Sequence, residues 1–196
     1  MKKLLLGAFA IGAGLFSLTN AQIQKGNWMV GGNLVSGNFG LNTGAGYNVQ
    51  IQPKGAYFIE DNVAVGGYAN LGFAGAKGSE TIWNYGAGAL GRYYLSPGQE
   101  GVDNLLKNGR WFFEANLGIG GQSASNGGDS ANGLDYGFGP GYAYFITPNI
   151  GLEGLLKYTG NVGFGNRGTT SNLAFGLGLQ IYLPTSKAKQ VINNVN

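Results

Sequence analysis

Residues 173–182 read Leu173-Ala174-Phe175-Gly176-Leu177-Gly178-Leu179-Gln180-Ile181-Tyr182. Every odd position is large and apolar, and every even one is small or polar apart from Tyr182. Residues 47–54 repeat the rhythm: Tyr47, Val49, Ile51 and Pro53 alternate with Asn48, Gln50, Gln52 and Lys54. Successive side chains of a strand point to opposite faces, so period-2 alternation marks a strand with one oily face.

Outward from these stretches, the same reading predicts strands near 27–36, 45–57, 63–74, 83–95, 110–121, 133–145, 150–160 and 172–183. Most are about twice the usual strand length of about 5–6 residues. A tilted strand that crosses a bilayer needs about 9–11. The connections at 58–62 and 146–149 are tight, whereas 37–44, 75–82, 122–132 and 161–171 are longer and rich in Gly, Ser, Asn and Thr. Short turns on one side and longer loops on the other are the habit of outer-membrane barrels. The connection 96–109 departs from it, and a helical turn is expected at 102–107. The fold expected is all-β: a closed, eight-stranded, antiparallel up-and-down transmembrane barrel.

Composition agrees. The 196 residues include 39 Gly and 25 aromatics (11 Tyr, 11 Phe, 3 Trp), and only 11 % are charged. A soluble domain usually carries about 25 % charge. There is no Cys and no His, which removes structural zinc, Cys nucleophiles and Ser-His-Asp triads. No catalytic residue, cofactor or metal ligand is expected, and the chain is read as a non-enzyme. The fragments 118–121 and 137–141 are Gly-rich, but no helix pattern follows them, so they are not phosphate loops.

Lys2 and Lys3 precede an apolar run, Leu4 to Phe16, that is too short to span a bilayer as a helix. With Ala21 at the expected cut, 1–21 reads as a signal peptide, 22–183 as the barrel, and 184–196 as a polar periplasmic tail. Cleavage removes two lysines and no acid, lowering the formal charge from +3 to +1. No nucleic-acid partner is expected.

An internal repeat links two hairpins. Pro53, Ala56-Tyr57-Phe58-Ile59, Asn62-Val63, Val65 and Gly67 match Pro140, Ala143-Tyr144-Phe145-Ile146, Asn149-Ile150, Leu152 and Gly154 at a constant offset of 87. Proline lacks an N–H, so a bulge or local irregularity is expected at Pro53 and Pro140.

The charged strand residues share the polar face: Lys54, Arg92, Glu114, Asp135, Glu153 and Lys157. Facing lipid, an Arg or Lys at midplane would cost about 2–4 kcal/mol. They are therefore expected in the lumen. Lys54, Arg92, Glu114 and Glu153 should form a ring of two cations and two anions, with Arg92 and Glu114 paired directly. Above them the lumen face is mostly Gly. Tyr57, Tyr93, Trp111, Tyr144 and Tyr182 fall at the periplasmic strand ends and are expected to form an interfacial aromatic girdle.

The region ending Asn20-Ala21-Gln22, the Tyr-Phe-Ile-x-x-Asn hairpins and Arg92-Tyr93-Tyr94 at a strand end resemble the OmpA-like transmembrane domain and the Bacteroidetes-type porin-family barrels. The resemblance covers essentially all of 22–183. It implies an integral, monomeric protein of a Gram-negative outer membrane, with lipid around it and the barrel-assembly machinery as its partner during insertion. It also implies lumen ion pairs that close or gate the channel. Three roles follow as expectations: a structural barrel with a closed lumen, a narrow passive pore gated by the charge ring, or a surface-binding module acting through short loops.

Overall fold

A computed structural model describes residues 23–39, 46–76, 80–95, 109–124, 131–164 and 168–185. The expected signal peptide, the helical turn at 102–107 and most of the tail lie outside them. Eight strands follow one another: β1 Trp28–Phe39, β2 Gly46–Glu60, β3 Val63–Ala76, β4 Ile82–Tyr94, β5 Gly109–Ala124, β6 Ala131–Thr147, β7 Ile150–Gly163 and β8 Thr170–Leu183. Each pairs antiparallel with its neighbours in sequence, and β1 pairs with β8 to close the barrel.

The strand ends fall within three residues of their expected places, and all but the fourth strand run longer than expected, the full set spanning 12 to 17 residues. Stepping sideways from Leu183 through Trp28, Tyr57, Val65, Gly91, Ala115, Phe138 and Tyr158 returns to β8 at Leu173. The closure is thus offset by ten residues. With a rise of about 3.3 Å per residue and about 4.8 Å between strands, that offset tilts the strands by about 40°. About ten tilted residues then cross an apolar band of about 25 Å.

The outward face is the oily one: Val30, Leu71, Leu117, Ile119, Leu152 and Leu177 are all exposed. Alternation between faces decides this, since leucines turned inward would expose the charged residues to lipid instead.

The prolines show the expected local irregularity, as a gap in the ladder and not as a bulge. Ile51 pairs with Leu71 and Lys54 with Tyr68, but Gln52 and Pro53 are skipped without any change of register. The β6–β7 seam does the same at Gly139 and Pro140, between Phe138–Tyr158 and Gly141–Leu155. The missing N–H interrupts the ladder and does not shift it. The register shifts lie elsewhere: between Leu34 and Ser36, between Phe58 and Glu60, and between Phe145 and Thr147. The last two sit at matching places in the repeat, one step before each tight turn. At the first of these turns Asn62 adopts a left-handed backbone (φ 67°).

Residues 23–27 lie along that turn. Gly26 N–H donates to Phe58 O (2.8 Å), and Asn62 N–H donates to Ile23 O (2.9 Å). Lys25 Nζ meets Glu60 Oε1 at 2.6 Å on the exposed rim, and this bond raises the lysine pKa.

Candidate functional site: the lumen cluster and the cavity above it

The lumen side chains fall into three layers. Lowest, near the short turns, is an aromatic floor. Phe58, Tyr94, Phe112 and Tyr182 are essentially buried, as is Met29. Rings in this layer meet at tilted angles: Tyr94–Phe112 at 5.6 Å, Phe145–Tyr182 at 5.2 Å, Phe58–Tyr94 at 5.9 Å.

Tyr182 belongs to this floor and corrects the girdle expectation. It shares a face with Gln180, and parity turns it inward, where it is 1 % exposed. Position at a strand end had suggested the interface, but the face a residue occupies overrides its height. The same parity splits each neighbouring aromatic pair. Tyr93, Trp111 and Tyr144 face outward and are exposed, while Tyr94, Phe112 and Phe145 face inward. Tyr57 is half-buried and faces outward, its ring 5.1 Å from that of Trp28.

Above the floor lies the charged layer. Glu114 on β5 is its hub. Its Oε2 accepts from Arg92 Nη2 (2.6 Å) and Lys54 Nζ (2.9 Å), and its Oε1 accepts from Lys157 Nζ (2.8 Å). Arg92 also forks onto Glu153, with Nη1 to Oε1 at 2.5 Å and Nη2 to Oε2 at 3.0 Å. The expected pairing of Arg92 with Glu114 is present, and Lys157 joins the expected four. The cluster therefore holds three cations and two anions from strands β2, β4, β5 and β7. Its side chains are 0 to 7 % exposed.

Floor and charges share one hydrogen-bond circuit. Arg92 Nη1 donates to Tyr94 OH (2.8 Å), and Tyr182 OH donates to Glu153 Oε1 (3.1 Å). The hydroxyls of Tyr94 and Tyr182 meet at 2.8 Å, which links the two halves of the circuit. The guanidinium carbon also lies 4.0 Å from the centroid of the Phe112 ring, a cation–π contact.

The third layer lies where the lumen face was expected to be mostly Gly: a cavity of about 640 Å³ is lined by glycines and, beyond that expectation, by amide side chains, among them Asn33, Gln52, Asn70, Asn116, Asn161 and Asn172. Asp135 lines it too and accepts from Asn161 Nδ2. The glycines beside these groups provide space. A methyl at Gly137 would stand 2.9 Å from Lys157 Cδ, and one at Gly118 would stand 2.6 Å from Tyr68 OH. One at Gly120 would collide with Asp135 Oδ2. The even spacing of Asn and Gln along several strands carried this layer in the sequence. It was readable as a polar face.

A closed eight-stranded sheet with an apolar outer face, an ion-paired lumen and interfacial aromatics is the fold of the small outer-membrane β-barrels. Solved structures with this architecture resemble the chain. Neisserial surface protein A matches with a TM-score of 0.55 at 16 % identity, over 79 % of this chain and 95 % of that one. The N-terminal β-barrel domain of OprF from Pseudomonas aeruginosa gives 0.48 at 16 % identity, over 81 % and 98 %. The outer membrane protein OprG from the same organism gives 0.49 at 11 % identity, over 85 % and 99 %. No family model matches the chain, and neither does any curated protein.

Proposed function

We propose that this is an integral barrel of a Gram-negative outer membrane, structural in role, whose lumen is held shut by its own side chains. One observation carries the reading: Lys54, Arg92, Glu114 and Glu153 are at most 1 % exposed at the side chain and bond to each other across the lumen. An aqueous path through this layer would leave them wet. On this reading the protein is a monomer surrounded by lipid, delivered by the barrel-assembly machinery after cleavage near Ala21, and without enzymatic activity.

A narrow pore gated by the same charges is the second reading. The cavity above the cluster favours it, because Lys157 and Asn116 of the cavity wall also bond within or beside the charged layer. Planar-bilayer recording of the refolded mature chain discriminates. Folding is first checked by anomalous gel migration of the unheated sample. The structural reading expects a silent bilayer, and steady wild-type conductance would overturn it. If the pore reading holds, Arg92→Ala and Glu114→Ala must change single-channel behaviour.

A further inference from the structure

We infer that the amide-lined cavity is a binding site for a small, neutral, polyhydroxylated molecule such as a mono- or disaccharide. The volume of about 640 Å³ sits within the range of about 300–1,000 Å³ common for small-ligand sites. The wall is polar and carries one charge of each sign. Of its ionisable groups, Lys157 is committed to Glu114 and Asn116, and Asp135 to Asn161.

Ten of the remaining wall residues carry carboxamides, each offering an N–H donor and a C=O acceptor side by side. Adjacent hydroxyls of a sugar offer the complementary pair. Four amides stand on different sides of the well, Asn33 on β1, Asn70 on β3, Asn116 on β5 and Asn161 on β7. A ligand between them would be held from several directions.

A second observation points the same way. Asn33 and Asn161 are 3 % and 6 % exposed, and each keeps one buried amide atom without a hydrogen-bond partner: Nδ2 of Asn33, a donor, and Oδ1 of Asn161, an acceptor. A buried polar group left unpaired is costly, and rotation of either side chain toward the well would let a ligand that both donates and accepts satisfy it. An anion would meet Asp135 and a cation would meet Lys157, so a neutral ligand is preferred. The aromatic floor lies beneath the charged cluster, out of reach for stacking. Affinity is therefore expected to be weak, with Kd on the order of millimolar.

The test uses the full mature chain, isotope-labelled and refolded into nanodiscs. Titration with sucrose should move the side-chain amide signals of Asn33, Asn70, Asn116 and Asn161 saturably. Glucuronate and glucosamine at matched ionic strength should give little. Asn70→Leu and, at the rim, Asn172→Leu should each weaken sucrose binding by roughly tenfold, as expected for a lost hydrogen bond or two. Unheated gel migration verifies that each variant is folded, and the two positions guard against a folding failure at either. Shifts that never saturate, shifts unchanged in both folded variants, or equal shifts with the charged sugars would overturn the assignment. Retention of trapped sucrose by vesicles carrying the barrel is read separately. Leakage with saturable binding would sink only the closed-lumen reading, and retention without binding would sink only this one.

Discussion

At the scale of single residues, Glu114 is where the lumen is most exposed to damage. Three cations converge on it, and two of them, Lys54 and Lys157, make their only salt bridge there among the described residues. Glu114→Gln keeps the shape but strands buried positive charge, and breaking a buried pair costs about 3–5 kcal/mol. Glu153→Gln should cost less, because Arg92 retains Glu114 as a partner. Urea unfolding followed by gel migration should rank the two variants in that order, and equal midpoints would refute the hub assignment. Glycines offer a second contrast. A methyl at Gly88 would collide with Leu117 O, whereas one at Gly91 meets nothing within 4 Å. Gly88→Ala should therefore destabilise by about 1–3 kcal/mol, as overpacking does. Gly91→Ala should be neutral, or slightly stabilising through the unfolded chain. The same unfolding assay checks both. The sequence already told these residues' face, because alternation is local. It could not tell that Lys157 reaches Glu114, because that contact spans strands β5 and β7 and depends on the register of the sheet between them.

At the scale of the strand, legibility depended on which physical signal was strongest. Eight alternating runs gave eight strands, and their ends were blurred only because loops of Gly, Asn and Ser tolerate extended backbone as well as turns. The prolines show a finer limit. Proline's missing N–H announces a fault, but the sequence does not say whether neighbours slip or simply lose a bond. Here they keep register on both sides of Pro53 and Pro140. If the fault is only a missing donor, Pro53→Ala should restore pairing with β3. Hydrogen exchange should then slow around Gln52 and Ala69, while overall stability changes by no more than about 1 kcal/mol, the added bond being offset by a more flexible unfolded chain. A register slip, seen as altered contacts between β2 and β3, would contradict this. Tyr182 shows that two signals at one position can disagree. Height placed it in the girdle and parity placed it in the floor. Parity prevailed because rotating one residue outward would turn Gln180 and Ile181 to the wrong faces as well.

At the scale of the whole molecule, the barrel separates its chemistry into an oily exterior and a polar interior, and the three tryptophans report on that separation. Trp28, Trp83 and Trp111 all face outward with 43 to 54 % of their surface exposed. Trp28 and Trp111 stand at the ends of β1 and β5 near the short turns, and Trp83 stands at the opposite end, where β4 begins. Aromatic rings of this kind settle at the two bilayer interfaces. Single-tryptophan versions in vesicles should thus be quenched strongly by lipids labelled near the headgroup and less by lipids labelled near the chain ends, for all three positions. Water-soluble acrylamide should reach none of them as it reaches free indole. The closure offset of ten residues is what sets the two levels so far apart, since strands tilted by about 40° raise each residue by about 2.5 Å along the barrel axis. Trp83 lies opposite Phe73 on β3, and Phe73 is ten residues beyond Val63 at the other end of that strand. About ten residues of climb correspond to about 25 Å, the height of the apolar band itself. Strong quenching of Trp83 by chain-end labels, with Trp28 and Trp111 remaining shallow, would mean that the barrel sits displaced along the bilayer normal relative to this arrangement.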